Sequence, residues 1–289
     1  MNKVVAGALA LFGFILGIAI STVIWNVTHK GGEFSLRVEG NFGAVVTVTT
    51  TGEPASDKRD IRFLMSGSGR EITKDQQVLM RATKFTASGY EWSQVADLPT
   101  IVSGVANSKS VGKLADVVVG KKEGSRLAII QPTDGHVSIT IVDVLPTRIA
   151  GTQQTQITDP LIPQITSNDD GVPVPSAISG EIGNIKVAPI IVGKGAQITD
   201  DDIVYANYVL AKSDGSVIES TFTNGNPPAY IAVEDVFPGL HAGLVDQRVG
   251  SRVAIVVPSA QAQGEGDVII VVDILAVADK KPGAKSTNV

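Results

Sequence analysis

After the first 34 residues the chain alternates apolar and polar side chains in short runs, and turn-forming residues separate the runs. A period of two places successive side chains on opposite faces of an extended strand. On this basis Val45 to Thr49, Val204 to Leu210 and Val268 to Leu275 are predicted strands. Ser213 to Ser216 contains an Asp-Gly pair, which readily adopts positive φ and therefore predicts a hairpin turn.

One segment in the C-terminal half has the period of a helix instead. Pro238 suits a first helical position, and Leu240, Leu244 and Val245 would then share one face. We expect a short helix from Pro238 to Val245 and a second one at residues 111–118 in the N-terminal half. Antiparallel strands with one short helix in each half predict an α+β fold.

The two halves of the chain repeat one another. Gly124-Ser125-Arg126 recurs as Gly250-Ser251-Arg252, at an offset of 126 residues. The offset becomes 130 near the end, where Ile139 to Leu145 matches Ile269 to Leu275, so the second copy has four extra residues before Ile269. A repeat of this length indicates a duplicated domain, because solenoid arrays have periods of roughly 20–50 residues.

The N-terminus contains a candidate membrane segment. Val4 to Trp25 is a run of 22 residues without a charge, and roughly 20 apolar residues span a bilayer. Its length and the poor cleavage signal at Ala19-Ile20-Ser21 favour an uncleaved single-pass anchor; a cleaved signal peptide is the alternative. Lys3 precedes the span and favours an extracytoplasmic body, at the cell membrane or, after cleavage, secreted.

Composition excludes several classes of function. The formal net charge is −5, so the chain lacks the excess of basic residues that is typical of nucleic-acid-binding proteins. The chain has no cysteine, which removes disulfides, thiolate metal sites and thiol catalysis. Its three histidines are scattered, and Asp200-Asp201-Asp202 lacks the alternating ligands of a calcium loop. We therefore expect neither a metal site nor a cofactor.

Four segments near the C-terminus carry a family resemblance: Phe237 to Leu244, Val249 to Val253, Ile255 to Pro258 and Val271 to Leu275. Together they resemble the FK506-binding-protein (FKBP) family of peptidyl-prolyl cis-trans isomerases, in its tandem-domain, exported bacterial form. The resemblance covers about residues 185–277, whereas the first copy is recognised mainly through the internal repeat. It implies two FKBP-like domains, each an antiparallel half-barrel sheet wrapped around one short helix, after an N-terminal transmembrane helix.

The expected domain organisation follows from the repeat and the resemblance. It consists of a transmembrane anchor or signal segment at 1–30, a degenerate FKBP-like domain at 35–147, a linker at 148–180, an FKBP-like domain with the candidate pocket at 181–278, and a disordered tail at 279–289.

The chemistry of this family needs no reactive group. Rotation about an X–Pro bond meets a barrier of about 18–20 kcal/mol because the amide loses its resonance. An apolar, water-poor pocket favours the twisted amide, whose carbonyl is less polar than that of the planar form. The resemblance thus implies proline-containing, unfolded or partly folded polypeptides as partners.

Matching the family pattern residue by residue gives a candidate site in the second copy. The residues with an implied catalytic role are Tyr208, Glu219 and Phe237, and those implied to bind substrate are Ile218, Tyr230, Ile231, Val236, Leu240, Gln263 and Ile270. Leu240 stands where the family has the tryptophan of the pocket floor, and Gln263 stands where it has a loop tyrosine. In the first copy Ala82 and Leu114 occupy the tyrosine and tryptophan positions, so we expect that copy to be inert.

Three functions are compatible with this sequence. The first is an exported, membrane-anchored prolyl isomerase that assists the folding of secreted proteins. The second is a weakly active or inactive chaperone or binding module of the same fold, which the loss of pocket aromatics favours. The third is a structural surface protein that uses the domains as spacers.

Overall fold

The computed structural model describes residues 34–52, 58–88, 91–94, 99–133, 136–151, 153, 157–222, 226–262 and 266–278. The expected anchor or signal segment, the tail after residue 278 and Gln263 lie outside these residues. Among the residues described, no helix combines the length and the hydropathy needed to cross a membrane.

Strands dominate the described part of the chain. They are β1 (Ser35–Glu39), β2 (Thr47–Thr51), β3 (Asp60–Met65), β4 (Gln77–Ser88), β5 (Glu91–Gln94), β6 (Thr100–Val105), β7 (Arg126–Thr133), β8 (His136–Leu145), β9 (Ile165–Ser167), β10 (Pro173–Pro175), β11 (Lys186–Ile191), β12 (Ile203–Lys212), β13 (Val217–Ser220), β14 (Ala229–Ala232), β15 (Arg252–Val257) and β16 (Val268–Val277). The α-helices are α1 (Ser108–Val111), α2 (Ala115–Val118) and α3 (Pro238–Leu244), and 3₁₀ turns lie at Gly112–Leu114, Val233–Asp235 and Ser259–Gln261.

Two six-stranded sheets have the same strand order. The first runs β3-β7-β8-β4-β5, with β6 also paired to β4. The second runs β11-β15-β16-β12-β13, with β14 also paired to β12. Each strand of the first sheet thus has a counterpart at the same place in the second. Mostly antiparallel β structure with short helices agrees with the α+β class expected from the hydrophobic pattern.

The chain divides into two compact units. Unit 1 comprises Met1–Gly67, Arg81–Pro99 and Gly124–Asp143, and unit 2 comprises Ser68–Met80, Thr100–Glu123 and Val144–Val289. Unit 2 therefore contains the whole second sheet together with α1, α2 and β6. The domain boundaries inferred from the repeat stay predictions.

The core of unit 1 lies between the hairpin β1–β2 and the first sheet. Phe34, Leu36 and Val38 are buried together with Val46 and with residues of β7 and β8. The strand expected at Val45 to Thr49 begins only at Thr47. Val46 is instead a core residue of the turn that leads into β2.

The core of unit 2 lies between α3 and the second sheet. Pro238 is the first residue of α3, as expected, and the helix ends at Leu244, one residue earlier than predicted. A Cβ atom added to Gly239 would lie 2.5 Å from Val257 Cγ1, and one added to Gly243 would lie 2.5 Å from Ile255 Cγ1. These two glycines, one helical turn apart, let α3 lie directly on β15.

The helix expected at residues 111–118 is interrupted. It consists of α1, a 3₁₀ turn and α2, and the break falls at Gly112, whose φ is +57° and ψ is −140°. Gly112 stands where the second copy has Pro238. A glycine readily adopts this left-handed conformation, whereas proline fixes φ near the helical value.

Each sheet buries one arginine–aspartate pair at matching positions. Arg126 Nε and Nη2 donate to the two carboxylate oxygens of Asp143 at 2.6 and 2.8 Å. Arg252 makes the same two hydrogen bonds to Asp273, at the same distances. Both pairs join the first residue of one central strand to the residue directly opposite on the neighbouring strand.

The remaining donors of each arginine bind a hairpin. Arg126 donates to the carbonyl oxygens of Gly40 and Asn41, between β1 and β2, at 2.8 Å each. Arg252 donates to Ser167 Oγ at 2.8 Å and to the Gly171 carbonyl oxygen at 3.0 Å, at the hairpin β9–β10. The segment expected to be a linker, residues 148–180, therefore holds a two-stranded sheet that is fixed to the second core.

Candidate functional site

An open cleft of about 380 Å³ lies at the start of α3. The chain enters the helix through the 3₁₀ turn Val233–Asp235, and the 3₁₀ turn Ser259–Gln261 follows β15 on the other side. The residues that line the cleft are Asp235, Val236, Phe237, Pro238, Ala260 and Gln261. The Ser259 amide donates to Asp267 Oδ1 at 2.8 Å, which holds the second turn against the start of β16.

The apolar core cluster of unit 2 lies next to this cleft, because Val236 and Phe237 pack against the cluster and also line the cleft. Four of the residues implied by the family pattern, Tyr208, Val236, Phe237 and Leu240, are half-buried and pack against this cluster. Ile231 and Ile270 are buried within it. The fold thus brings together six of the sequence-predicted residues, although Ile231 and Ile270 support the site from below and do not form its open wall.

Tyr208 and Glu219 form a polar edge. The Tyr208 hydroxyl donates to Glu219 Oε1 at 2.7 Å, because β12 and β13 pair with Leu210 opposite Glu219. The Tyr208 amide donates to Thr221 Oγ1 at 2.8 Å, directly after the end of β13. Burial, followed by the hydrogen bond and the negative charge of Glu219, raises the pKa of Tyr208 to about 12.

This pKa gives a direct test of the arrangement. We expect the Tyr208 phenol to stay protonated until about pH 12, whereas an ordinary tyrosine ionises near 10. The unfolded chain releases this proton first, so stability present below pH 10 is lost as the pH rises towards 12. Tyr208→Phe should remove the component near pH 12 from the tyrosinate absorbance titration, and Glu219→Gln should shift that component to lower pH. Loss of a component near pH 10 instead would contradict the geometry.

Phe237 contributes both a ring and a backbone donor. Its carbonyl oxygen accepts from the amides of Leu240 and His241, at 3.0 and 3.1 Å, and so starts the helix. Its own amide has no acceptor among the residues that the structure describes. A donor beside an apolar cleft can bind a carbonyl oxygen of a ligand whose apolar part lies against Phe237 and Leu240.

Val236 and Phe237 are the sequence-predicted residues that line the cleft, whereas Ile218 and Tyr230 lie outside both the lining and the apolar cluster. The side chain of Ile218 is 43% exposed on the edge strand β13, and that of Tyr230 is 61% exposed. Tyr230 packs edge to face on Tyr205, with ring centroids 5.7 Å apart. Gln263 lies outside the described residues, so its predicted contact with substrate stays a prediction.

The sequence-based reasoning missed four lining residues. Asp235, Ala260 and Gln261 were not singled out, and Pro238 was interpreted only as a helix start. A local signal existed for Asp235, which directly precedes the Val236-Phe237 pair. Ala260 and Gln261 follow the strand that ends at Val257, and nothing in the sequence fixes the direction of that loop.

Comparison with known proteins identifies this part of the chain. Residues 194–272 match the family model described as FKBP-type peptidyl-prolyl cis-trans isomerase. The resemblance inferred from the sequence is thereby confirmed for this segment. The match includes Tyr208, Glu219, Phe237 and Leu240.

Two curated relatives are FKBP-type peptidyl-prolyl cis-trans isomerases named FkpA. The protein from Aeromonas hydrophila is 30% identical over 103 residues, which is 33% of this chain and 38% of the relative. That from Escherichia coli K12 is 30% identical over 101 residues, 32% of this chain and 37% of the relative. The chain thus spans less than two fifths of the relatives' length.

Solved structures of the family are also similar. The crystal structure of FkpA from Escherichia coli is 22% identical, covering 39% of this chain and 51% of that one, with a TM-score of 0.31. A putative FKBP12 isomerase from Mycobacterium tuberculosis is 23% identical, covering 33% of this chain and 85% of that one, with a TM-score of 0.28.

Proposed function

From the FKBP-type domain at residues 194–272, we propose that this protein catalyses cis–trans isomerisation of X–Pro bonds in unfolded or partly folded polypeptides. The observation that carries the proposal is the convergence of Tyr208, Val236, Phe237 and Leu240 on one apolar cluster beside an open cleft. The first copy, with Ala82 and Leu114 at the corresponding positions, is proposed to be inert.

The cleft would favour rotation about the X–Pro bond through the apolar environment that it provides, without a reactive group. The proline ring lies on the apolar surface of Phe237 and Leu240, and the Phe237 amide orients a carbonyl oxygen of the bound segment. Removal of the X–Pro amide from water destabilises its planar, more polar form relative to the twisted one. Because Tyr208 stays protonated at neutral pH, its hydroxyl keeps its hydrogen bond to Glu219 beside the apolar cluster.

We further propose that the protein is exported and stays attached to the membrane through residues 1–30, so that it assists the folding of secreted proteins. The support is the run of 22 uncharged residues from Val4 to Trp25. Mass spectrometry of the protein purified from its host should find the N-terminus intact in the membrane fraction. A mature N-terminus between residues 20 and 30 would establish the secreted form instead.

A second candidate function is a binding module with little turnover. It is favoured by Leu240, which provides less surface than a tryptophan at the floor, and by Ile218, which lies exposed on β13. Both observations reduce the apolar area that a twisted prolyl bond would contact. They leave the cleft and its donors unchanged.

Leu240→Trp distinguishes the two functions. We expect this variant of the full chain to raise kcat/KM in a protease-coupled prolyl peptide assay by about three- to tenfold, because an added aromatic contact contributes about 0.5–1.5 kcal/mol. The matched control is Leu114→Trp, the equivalent change in the first copy, which should leave turnover unchanged. No turnover in the parent and none in Leu240→Trp would favour the binding module.

A further inference from the structure

The second FKBP-type domain has an uneven distribution of charge. No lysine or arginine occurs between Lys212 and Arg248, nor between Arg252 and Lys280. These two stretches supply β13, both 3₁₀ turns of the cleft and α3. The acidic residues in them are Asp214, Glu219, Glu234, Asp235, Asp246, Glu265, Asp267, Asp273 and Asp279.

Asp235 is the charged residue in the lining of the cleft itself. Its side chain is exposed, and it makes no hydrogen bond or ion pair with the residues that the structure describes. It lies two residues before Phe237, whose amide also lacks an acceptor within the described chain. The adjacent Glu234 is likewise exposed and, among those residues, unpaired.

Four basic groups of this domain have partners elsewhere in the fold. Arg252 is buried against Asp273, Lys186 pairs with Asp159 at 2.8 Å, and Arg248 donates to the Gly195 carbonyl oxygen. His241 on α3 lies 2.9 Å from Asp200 Oδ1 and therefore faces another carboxylate. Among the described residues, no basic group forms an ion pair with Asp235.

We propose that this cleft prefers proline segments that carry lysine or arginine within two residues of the proline, and that Asp235 is the specificity-determining residue. The inference rests on the proposed function of the cleft as the proline-binding site. Two residues of extended chain span about 7 Å, which places a neighbouring cationic side chain within reach of Asp235 when the proline lies on Phe237. Glu234 and Glu219 add to the same negative field, which also favours encounter with basic segments.

The test uses the full chain and three fluorescently labelled peptides that differ only in the residue before proline: lysine, leucine or glutamate. Fluorescence anisotropy gives the affinity of each peptide, and the protease-coupled assay gives its turnover. We expect the lysine peptide to bind about tenfold more tightly than the glutamate peptide at low ionic strength, with leucine between them. In about 1 M salt the ratio should shrink, because exposed charges are screened.

Two variants test whether Asp235 is the source of this preference for lysine peptides. Asp235→Asn should bring the lysine-to-glutamate affinity ratio down to about twofold, since the charge in the cleft is gone. The matched control is Asp246→Asn, which removes the same charge beyond the other end of α3; Asn tolerates the positive φ of this position. That variant should keep the parental ratio.

The outcomes separate this inference from the proposed isomerase activity. Equal affinity of the parent for the lysine and glutamate peptides, or equal loss of the ratio in both variants, overturns the inference. A ratio that depends on Asp235, found without turnover of any peptide, supports the inference and overturns the isomerase activity alone. If the parent binds none of the three peptides, both proposals fail.

Discussion

Replacement of Arg252 by methionine is expected to lower the free energy of unfolding of unit 2 by about 3–5 kcal/mol. The guanidinium and the Asp273 carboxylate are 1% and 0% exposed and share two hydrogen bonds. Burial raises the pKa of Asp273, and Arg252 opposes that shift through its hydrogen bond and its charge. Without the arginine, a buried carboxylate is left uncompensated, or it must take up a proton.

Hydrogen–deuterium exchange read on peptides from β15 and β16 measures this loss in the unit concerned. The double variant Arg252→Met/Asp273→Leu should recover much of the stability, because it removes the unpaired charge as well. Arg37→Met, followed on peptides from β1 and β2 in unit 1, is the surface control: its pair with Glu39 is about half exposed, and we expect a change of about 0–1 kcal/mol. Equal effects of Arg37→Met and Arg252→Met would contradict the interpretation of the buried pair.

Phe237→Ala is expected to reduce kcat/KM for prolyl peptides by about 10- to 100-fold, since a lost pocket contact costs about 1–3 kcal/mol in transition-state binding. The ring lines the cleft and, like Leu240, packs against the apolar core cluster of unit 2. Truncation leaves the Phe237 amide in place and removes the surface on which the proline ring would lie. The effect therefore reports on the apolar wall and not on the donor.

Two further variants make this measurement specific. Phe237→Leu keeps an apolar side chain and should retain most of the activity. Phe63→Ala truncates a half-exposed phenylalanine on β3, in unit 1, and should leave turnover unchanged. A Phe237→Ala variant that is as active as the parent would remove Phe237 from the site, whatever the activity of the other two variants.

Local chemistry made part of this structure predictable from the sequence. Pro238 begins α3, because proline is well tolerated at a first helical position. The Asp-Gly pair at residues 214–215 connects β12 and β13, with Gly215 at φ +84°. Tyr208 and Leu240 pack against one cluster because the strand and the helix that carry them follow strong periodic patterns.

The features that were missed depend on tertiary contacts or on exceptions to local rules. β9 and β10 are three residues long, and β10 has prolines at both ends, a composition that normally excludes a strand interior. The break at Gly112 ends a pattern that is otherwise compatible with a helix. Whether Ile218 faces solvent or the cleft depends on the twist and register of an edge strand, which the sequence does not specify.

The hydrogen bonds of Arg126 and Arg252 to hairpins indicate where each repeated unit begins. Sequence identity between the copies becomes visible only at Gly67 and Gly193, yet Arg126 and Arg252 each tie a preceding hairpin to their own sheet. We therefore expect each repeated unit to include its hairpin, although the hairpin sequences of the two copies differ. A fragment that starts at residue 181 would leave two guanidinium donors of Arg252 without their acceptors. One that starts near residue 158 would keep them.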